Sequence, residues 1–390
     1  MSARVSVRRA GGFSLVELMV SLVIGLLALT FATRLVLVGE QNKEASLGGS
    51  DAMQNGMLAL FSITSDANQA GFGLNDDMLV GCDTRFNDTN GFQLATATRA
   101  GATITPLSPA VIESTAGSDT VTLYSGTSQT GTGTLGISSY PGGTTINVAA
   151  APYGFAKDDV IVAAMDDPLD SRRCALSQIT TAPVLQVAPA QNFLQIGGAG
   201  RFAGALGLPF GNYLSRVFNL GPAADLSFHT WSVVDGFLRL RATNLTGASA
   251  ASQAVIDNVV ALKAQYGFDT RKGALFRRDL GMQIHQWSAT MIDADGQGGA
   301  GNGGDYQHIA ALRVAVVARS KTPQKPNASG VCDATTVLPR VFDASVPTGV
   351  AAVPVDVTVA VTGDPVDWKC YKYRVFETVV PLRNAGWRPN

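Results

Sequence analysis

An apolar run directly behind a basic start constrains this chain more than any other feature. Arg4, Arg8 and Arg9 stand in an acid-free beginning, Gly11 and Gly12 follow, and from Phe13 to Ala32 the residues are apolar or small apart from Ser14, Glu17, Ser21 and Thr30. As a helix, a span over 13–33 is ~32 Å long at about 1.5 Å per residue, which matches a hydrocarbon core of about 30 Å. By the charge rule the arginines stay cytoplasmic and everything after Arg34 is exported. A secretory signal places its small-residue cleavage site behind the apolar run, whereas Gly11 and Gly12 precede it, so cleavage there leaves the span attached.

The leader resembles the prepilin class: a short basic segment ending in Gly, then Phe-Ser-Leu-Val-Glu-Leu-Met-Val-Ser-Leu at 13–22. The resemblance implies a 1–12 leader cut between Gly12 and Phe13 by a prepilin peptidase, and N-methylation of Phe13. It also assigns Glu17 to assembly. A carboxylate near one end of an apolar span costs a few kcal/mol unless it meets a cation, and in type IV pilins the new amino terminus, here that of Phe13, supplies one. A plain membrane anchor with a snorkelling acid explains neither the Gly12-Phe13 junction nor the position of Glu17.

Beyond the span the helical spacing continues, so a helix over 13–70 is expected. Leu47, Met53, Met57, Leu58, Leu60, Phe61 and Ile63 form a loose apolar stripe against Glu40, Lys43, Glu44, Asp51, Gln54 and Asp66. Gly48-Gly49 is expected to interrupt or loosen it, Gly56 is a second weak point, and Gly71 and Gly73 mark its end. From about residue 72 to 390 the chain reads as one large β-rich globular domain, an α+β protein as a whole. Residues 260–269 and 312–319 alternate with the period of a half-buried strand. Further strands are expected at 120–124, 145–148, 160–164, 226–234, 237–243 and 371–382, with a type I′ hairpin at Asp235-Gly236 and a short helix around 252–258. The polar, Gly-rich segments 125–145 and 293–305 are expected to contribute no core.

Four cysteines, Cys82, Cys174, Cys332 and Cys370, fall in the exported part, and their spacing contains no zinc or redox motif. An oxidising compartment favours two disulfides. Of three possible pairings, Cys82–Cys174 with Cys332–Cys370 is preferred, because the second closes a short loop-rich stretch before the last strand. Enzyme motifs are lacking: His229, His285 and His308 are scattered, with no nucleophile elbow and no Walker loop. Gly198, Gly200 and Gly204 miss dinucleotide-binding spacing. Asp293-x-Asp295-Gly296 begins like a calcium loop but lacks the regular ligands and the closing Glu. No enzyme activity, metal, cofactor or specific small-molecule substrate is therefore expected, and with a net charge of -1 there is no basic surplus for nucleic acid.

Three later stretches, 258–269, 309–320 and Val379-Val-Pro-Leu-Arg-Asn384, look like the PilW family of type IV pilus minor pilins. That resemblance implies a pilin-like fold and a non-enzymatic subunit of the inner membrane, single-pass with its globular domain in the periplasm, later carried on the pilus at the cell surface. Its implied partners are other minor pilins, the major pilin and a PilY-type tip adhesin. The implied work is priming of pilus assembly in a tip complex, in support of adhesion, twitching motility or DNA uptake. Two other readings stay open: a J-type pseudopilin of a type II secretion system, and a membrane-tethered periplasmic binding protein.

Overall fold

The computed structural model describes residues 14–128, 134–169, 171–186, 192–208, 210, 215–327 and 329–386. The leader, Gly12 and Phe13 included, lies outside the described residues. Leu15–Gln69 form one helix of 55 residues. The expected interruption at Gly48-Gly49 does not occur. No proline breaks the hydrogen-bond ladder, and an interior glycine costs only about 1 kcal/mol, which the packing of the following turns outweighs. The helix ends as expected, at Gly71 with φ of 84°.

Its lower half lies on the Ile309–Arg319 and Tyr373–Pro381 strands. The buried face consists of Ala52, Gly56, Ala59, Ile63, Ala67 and Ala70. Small side chains let the helix backbone sit close to the sheet, and at Gly56 the ring of Phe376 fills the place a Cβ would take. Of the expected apolar stripe, Ile63 is buried and Leu60 partly so, while Met53, Met57, Leu58 and Phe61 point outward and are exposed.

Three main sheets form the β domain among the described residues. The sheet nearest the helix runs in the order Gln286–Ser288, Val259–Phe268, Ile309–Arg319, Tyr373–Pro381 and is antiparallel throughout. A five-stranded sheet carries Gln253–Asp257, Phe237–Ala242, Ser227–Val234, Thr120–Ser125 and Ala110–Glu113 in that order. One core joins these two sheets to the helix through Ile63, Ala67, Leu123, Trp231, Leu262 and Leu312. An eight-stranded sheet completes the domain, with one cluster of its own and a second shared with the five-stranded sheet through Val111, Tyr124 and Phe228, and its Cys82–Arg85 strand lies parallel to Arg173–Gln178.

The strands expected from alternation are present, and Asp235 and Gly236, with φ of 54° and 79°, turn the hairpin that pairs Val234 with Phe237. Four expectations are corrected. The 259–268 and 309–319 strands are buried on both faces, not one, because the helix and core cover one side and the 341–359 region covers the other. Residues 253–257 form an edge strand where a helix was expected, since pairing with the Phe237–Ala242 strand satisfies their backbone. The 125–145 segment contributes the Thr134–Ser139 strand with Ile137 buried. The 293–305 loop also enters the core, through Ala294 and Asp305, next to a short helix, Gly303–Gln307.

Candidate functional site

The helix itself is the candidate site. Residues Leu15–Val36 are long and apolar enough to cross a membrane, and none of this segment is buried against the rest of the chain. At ~33 Å for 22 residues it matches a hydrocarbon core. Soluble proteins rarely leave so large an apolar surface open, and this segment has the length and composition that suit lipid or other apolar helices. Glu17 sits in the first turn, where the helix dipole favours a negative charge. The expected cut at Gly12 and methylation at Phe13 lie outside the described residues.

Of the stretches that look like the PilW family, the last reaches the end of the helix. Asn384, the last residue of Val379-Val-Pro-Leu-Arg-Asn, shares its Nδ2 donor among the carbonyls of Asn68, Gln69 and Ala70 at 3.4, 3.1 and 3.3 Å. Those carbonyls lie where intrahelical partners run out, so Asn384, in the short helix Arg383–Gly386 behind the last strand, ties down the end of the long helix. In the 258–269 stretch, Asn258 takes φ of 57° at the turn between two strands, and its carbonyl accepts from Arg319 N at 2.9 Å. Asp269 closes the stretch with a bidentate contact, accepting from Arg271 Nε on Oδ1 and from Arg271 Nη2 on Oδ2. Burial alone would raise its carboxyl, but the donors from Arg271 and Gln283 hold it below its ordinary value.

The four cysteines pair as preferred: Cys82 with Cys174, and Cys332 with Cys370. The first bridge joins the two parallel strands, and the second ties a long loop to the short turn Trp368–Cys370 before the last strand. Sequence reasoning missed what Gly56 and Asp66 do. A glycine flanked by small residues at helical spacing was the available signal for close approach to a sheet.

Two of the three histidines meet the same aspartate and the third stands elsewhere. His285 Nδ1 lies 3.5 Å from Asp269 Oδ1, and His308 Nδ1 lies 2.5 Å from the Asp269 carbonyl with its ring stacked on Phe276. His229 is on another sheet, against Asp66. Asp293, Asp295 and Asp305 do come together, with oxygens within 4.8 Å of one another. Asp305 accepts backbone N–H from Ala294, Asp295, Gly301 and Asn302. Asp293 Oδ1 takes those of Gly296 and Gly298. These carboxylates brace a glycine-rich loop. Burial, with the neighbouring charge of Asp295, raises the Asp305 carboxyl to about 6 against the pull of those amides.

Residues 7–33 match the family model of the prokaryotic N-terminal methylation motif, and residues 232–384 match that of PilW, Type IV Pilus-assembly protein W. Neither the curated proteins nor the solved structures give a match to the chain. With an exposed apolar helix at one end and, at the other, the 232–384 region against which the lower half of that helix packs, the two matches support a PilW-like type IV pilin.

Proposed function

We propose that this chain is a minor pilin that helps to prime type IV pilus assembly as a subunit of the tip complex. One observation carries the reading: a fully exposed apolar span and a docked lower half belong to a single unbroken helix. Such a helix can leave lipid for an equally apolar bundle with little hydrophobic penalty, because lipid tails and apolar side chains are alike. The β domain then selects its neighbours, namely other minor pilins, the major pilin and a PilY-type adhesin. A prepilin peptidase cuts between Gly12 and Phe13 on the cytoplasmic side, and Phe13 is N-methylated. Glu17 pairs with the amine of Phe13, its own or a neighbour's. The globular domain faces the periplasm before assembly, the subunit carries out no catalysis, and its work supports adhesion, twitching motility or DNA uptake.

Glu17→Gln tests the reading, because it keeps size and hydrogen-bonding capacity while removing the charge. Membrane insertion should be unchanged or slightly easier, and cleavage after Gly12, read by mass spectrometry of the membrane-extracted protein, should persist. Incorporation should fall, because an ion pair matters most where the surroundings are least polar. The expected result is mutant protein enriched in the inner membrane and depleted from sheared pili. Equal incorporation with normal piliation would make Glu17 incidental, and a mature chain beginning at Met1 would rule out the processing step.

A further inference from the structure

Asp66 lies in the last turn of the long helix and faces the five-stranded sheet. Its Oδ2 accepts from Trp231 Nε1 at 2.8 Å and lies 2.7 Å from His229 Nδ1. The other ring nitrogen, His229 Nε2, faces Asn244 Oδ1 at 2.8 Å, with Ser227 Oγ at 3.3 Å. Both nitrogens of one imidazole thus address oxygen acceptors, a carboxylate on one side and an amide carbonyl on the other. A neutral ring has one donor and can satisfy only one of them; the imidazolium has two. The side chains of His229 and Asp66 are 12% and 21% exposed, so water replaces a lost partner poorly.

We propose that Asp66, His229 and Asn244 form a proton-dependent latch at the joint between the long helix and the β domain, closed when His229 carries both protons and loosened when it gives one up. Among the described residues, the groups that face the ring come from three elements. Asp66 comes from the helix, Asn244 from the loop after the Phe237–Ala242 strand, and Ser227 and Trp231 from its own strand, while its register neighbours are Leu123 and Ala242. Arg241 is opposite Thr230, on the other face, and donates to the Gln93 carbonyl. Asp66 is therefore the charge that acts on the ring among the described residues. Burial opposes a charged ring, but the contacts with Asp66 and Asn244 outweigh it and hold His229 above its ordinary value of 6.5. The sign follows: the latch contributes fully below 6.5 and is lost as pH rises through the raised midpoint of His229. Deprotonation leaves Nδ1–H on Asp66 and sets the Nε2 lone pair against Asn244 Oδ1, unless that amide turns over. The helix end then keeps Trp231 and loses the ionic half of its hold.

The test is nitrogen NMR of the full chain in detergent micelles, with labelled histidine, from about pH 5 to about pH 9. Loss of one signal in His229→Gln identifies the residue. The expected result is imidazolium shifts at both His229 nitrogens, a midpoint above 6.5, and a Trp231 indole proton that moves with the same midpoint. Asp66→Asn should lower the midpoint, since Asn244 alone then opposes burial. Asn244→Leu, which leaves the helix untouched, should lower it without stilling Trp231. A wild-type midpoint at or below 6.5, a singly protonated ring on the acid side, or an indole signal indifferent to pH would each overturn the latch.

Discussion

Gly56 shows how a residue that weakens a helix in isolation can be what places it. Alanine there would gain about 1 kcal/mol of helix propensity, but its Cβ would enter the space of the Phe376 ring. Overpacking a tight contact costs about 1–3 kcal/mol, so the clash wins. Gly56→Ala should lower the thermal unfolding midpoint of the detergent-extracted chain, and Phe376→Leu in the same molecule should restore part of the loss. A midpoint raised by Gly56→Ala alone would show that the ring swings aside freely. The sequence marked Gly56 as a weak point but not its purpose, because the partner ring is 320 residues away along the chain. Asp66 was legible only as a polar residue opposite the stripe, since nothing local announces a histidine and an indole that the fold brings to it.

At the scale of elements, the helix and most strands were legible because their evidence is periodic and local. The outward turn of Met53, Met57, Leu58 and Phe61 was not legible, because a stripe shows which residues lie together and says nothing about which side the sheet takes. Here the sheet takes the small side, where Ala52, Ala59 and Ala67 allow close approach. The 252–258 region misled because its few residues carry no sustained period, and the pairing with the Phe237–Ala242 strand decided it. The loop of 293–305 misled because composition does not reveal that one buried aspartate can gather four backbone amides. The second disulfide belongs to this scale too. Its loop packs through Thr335 N to the Lys369 carbonyl and Thr335 Oγ1 to the Tyr371 carbonyl. Cys332→Ser with Cys370→Ser should cost about 2–4 kcal/mol. Hydrogen exchange should rise first around Thr335 and Tyr371, before the Leu15–Gln69 helix responds. Simultaneous loss of protection in both regions would instead mean that the bridge holds the whole domain.

Across the whole molecule, the PilW-matched region does not stand alone. Its first residue, Ser232, lies inside the Ser227–Val234 strand, so the match begins in the middle of a sheet. Tyr266 Oη takes the Ile112 N–H at 2.5 Å, and the Asp119 N–H reaches the Leu262 carbonyl at 2.8 Å. Lys263, almost fully buried, pairs with Asp119 at 3.0 Å. Stripping one partner from a buried ion pair costs about 3–5 kcal/mol, and a fragment of residues 232–390 would lose Asp119 together with the helix. Made alone it should give a collapsed amide spectrum and no cooperative melt. A dispersed spectrum with native protection would divide the chain into two folding units.

The pairing of the cysteines has a consequence in time. A chain made from its amino terminus presents Cys82 first, then Cys174, then Cys332 and finally Cys370, and the two bridges join the first with the second and the third with the fourth. An oxidant that links each newly presented thiol to the one still waiting therefore reaches the native pattern directly. The first pair can be sealed before the third cysteine arrives, so a chain oxidised in this order reaches its native pattern with no wrong bridge to be opened on the way.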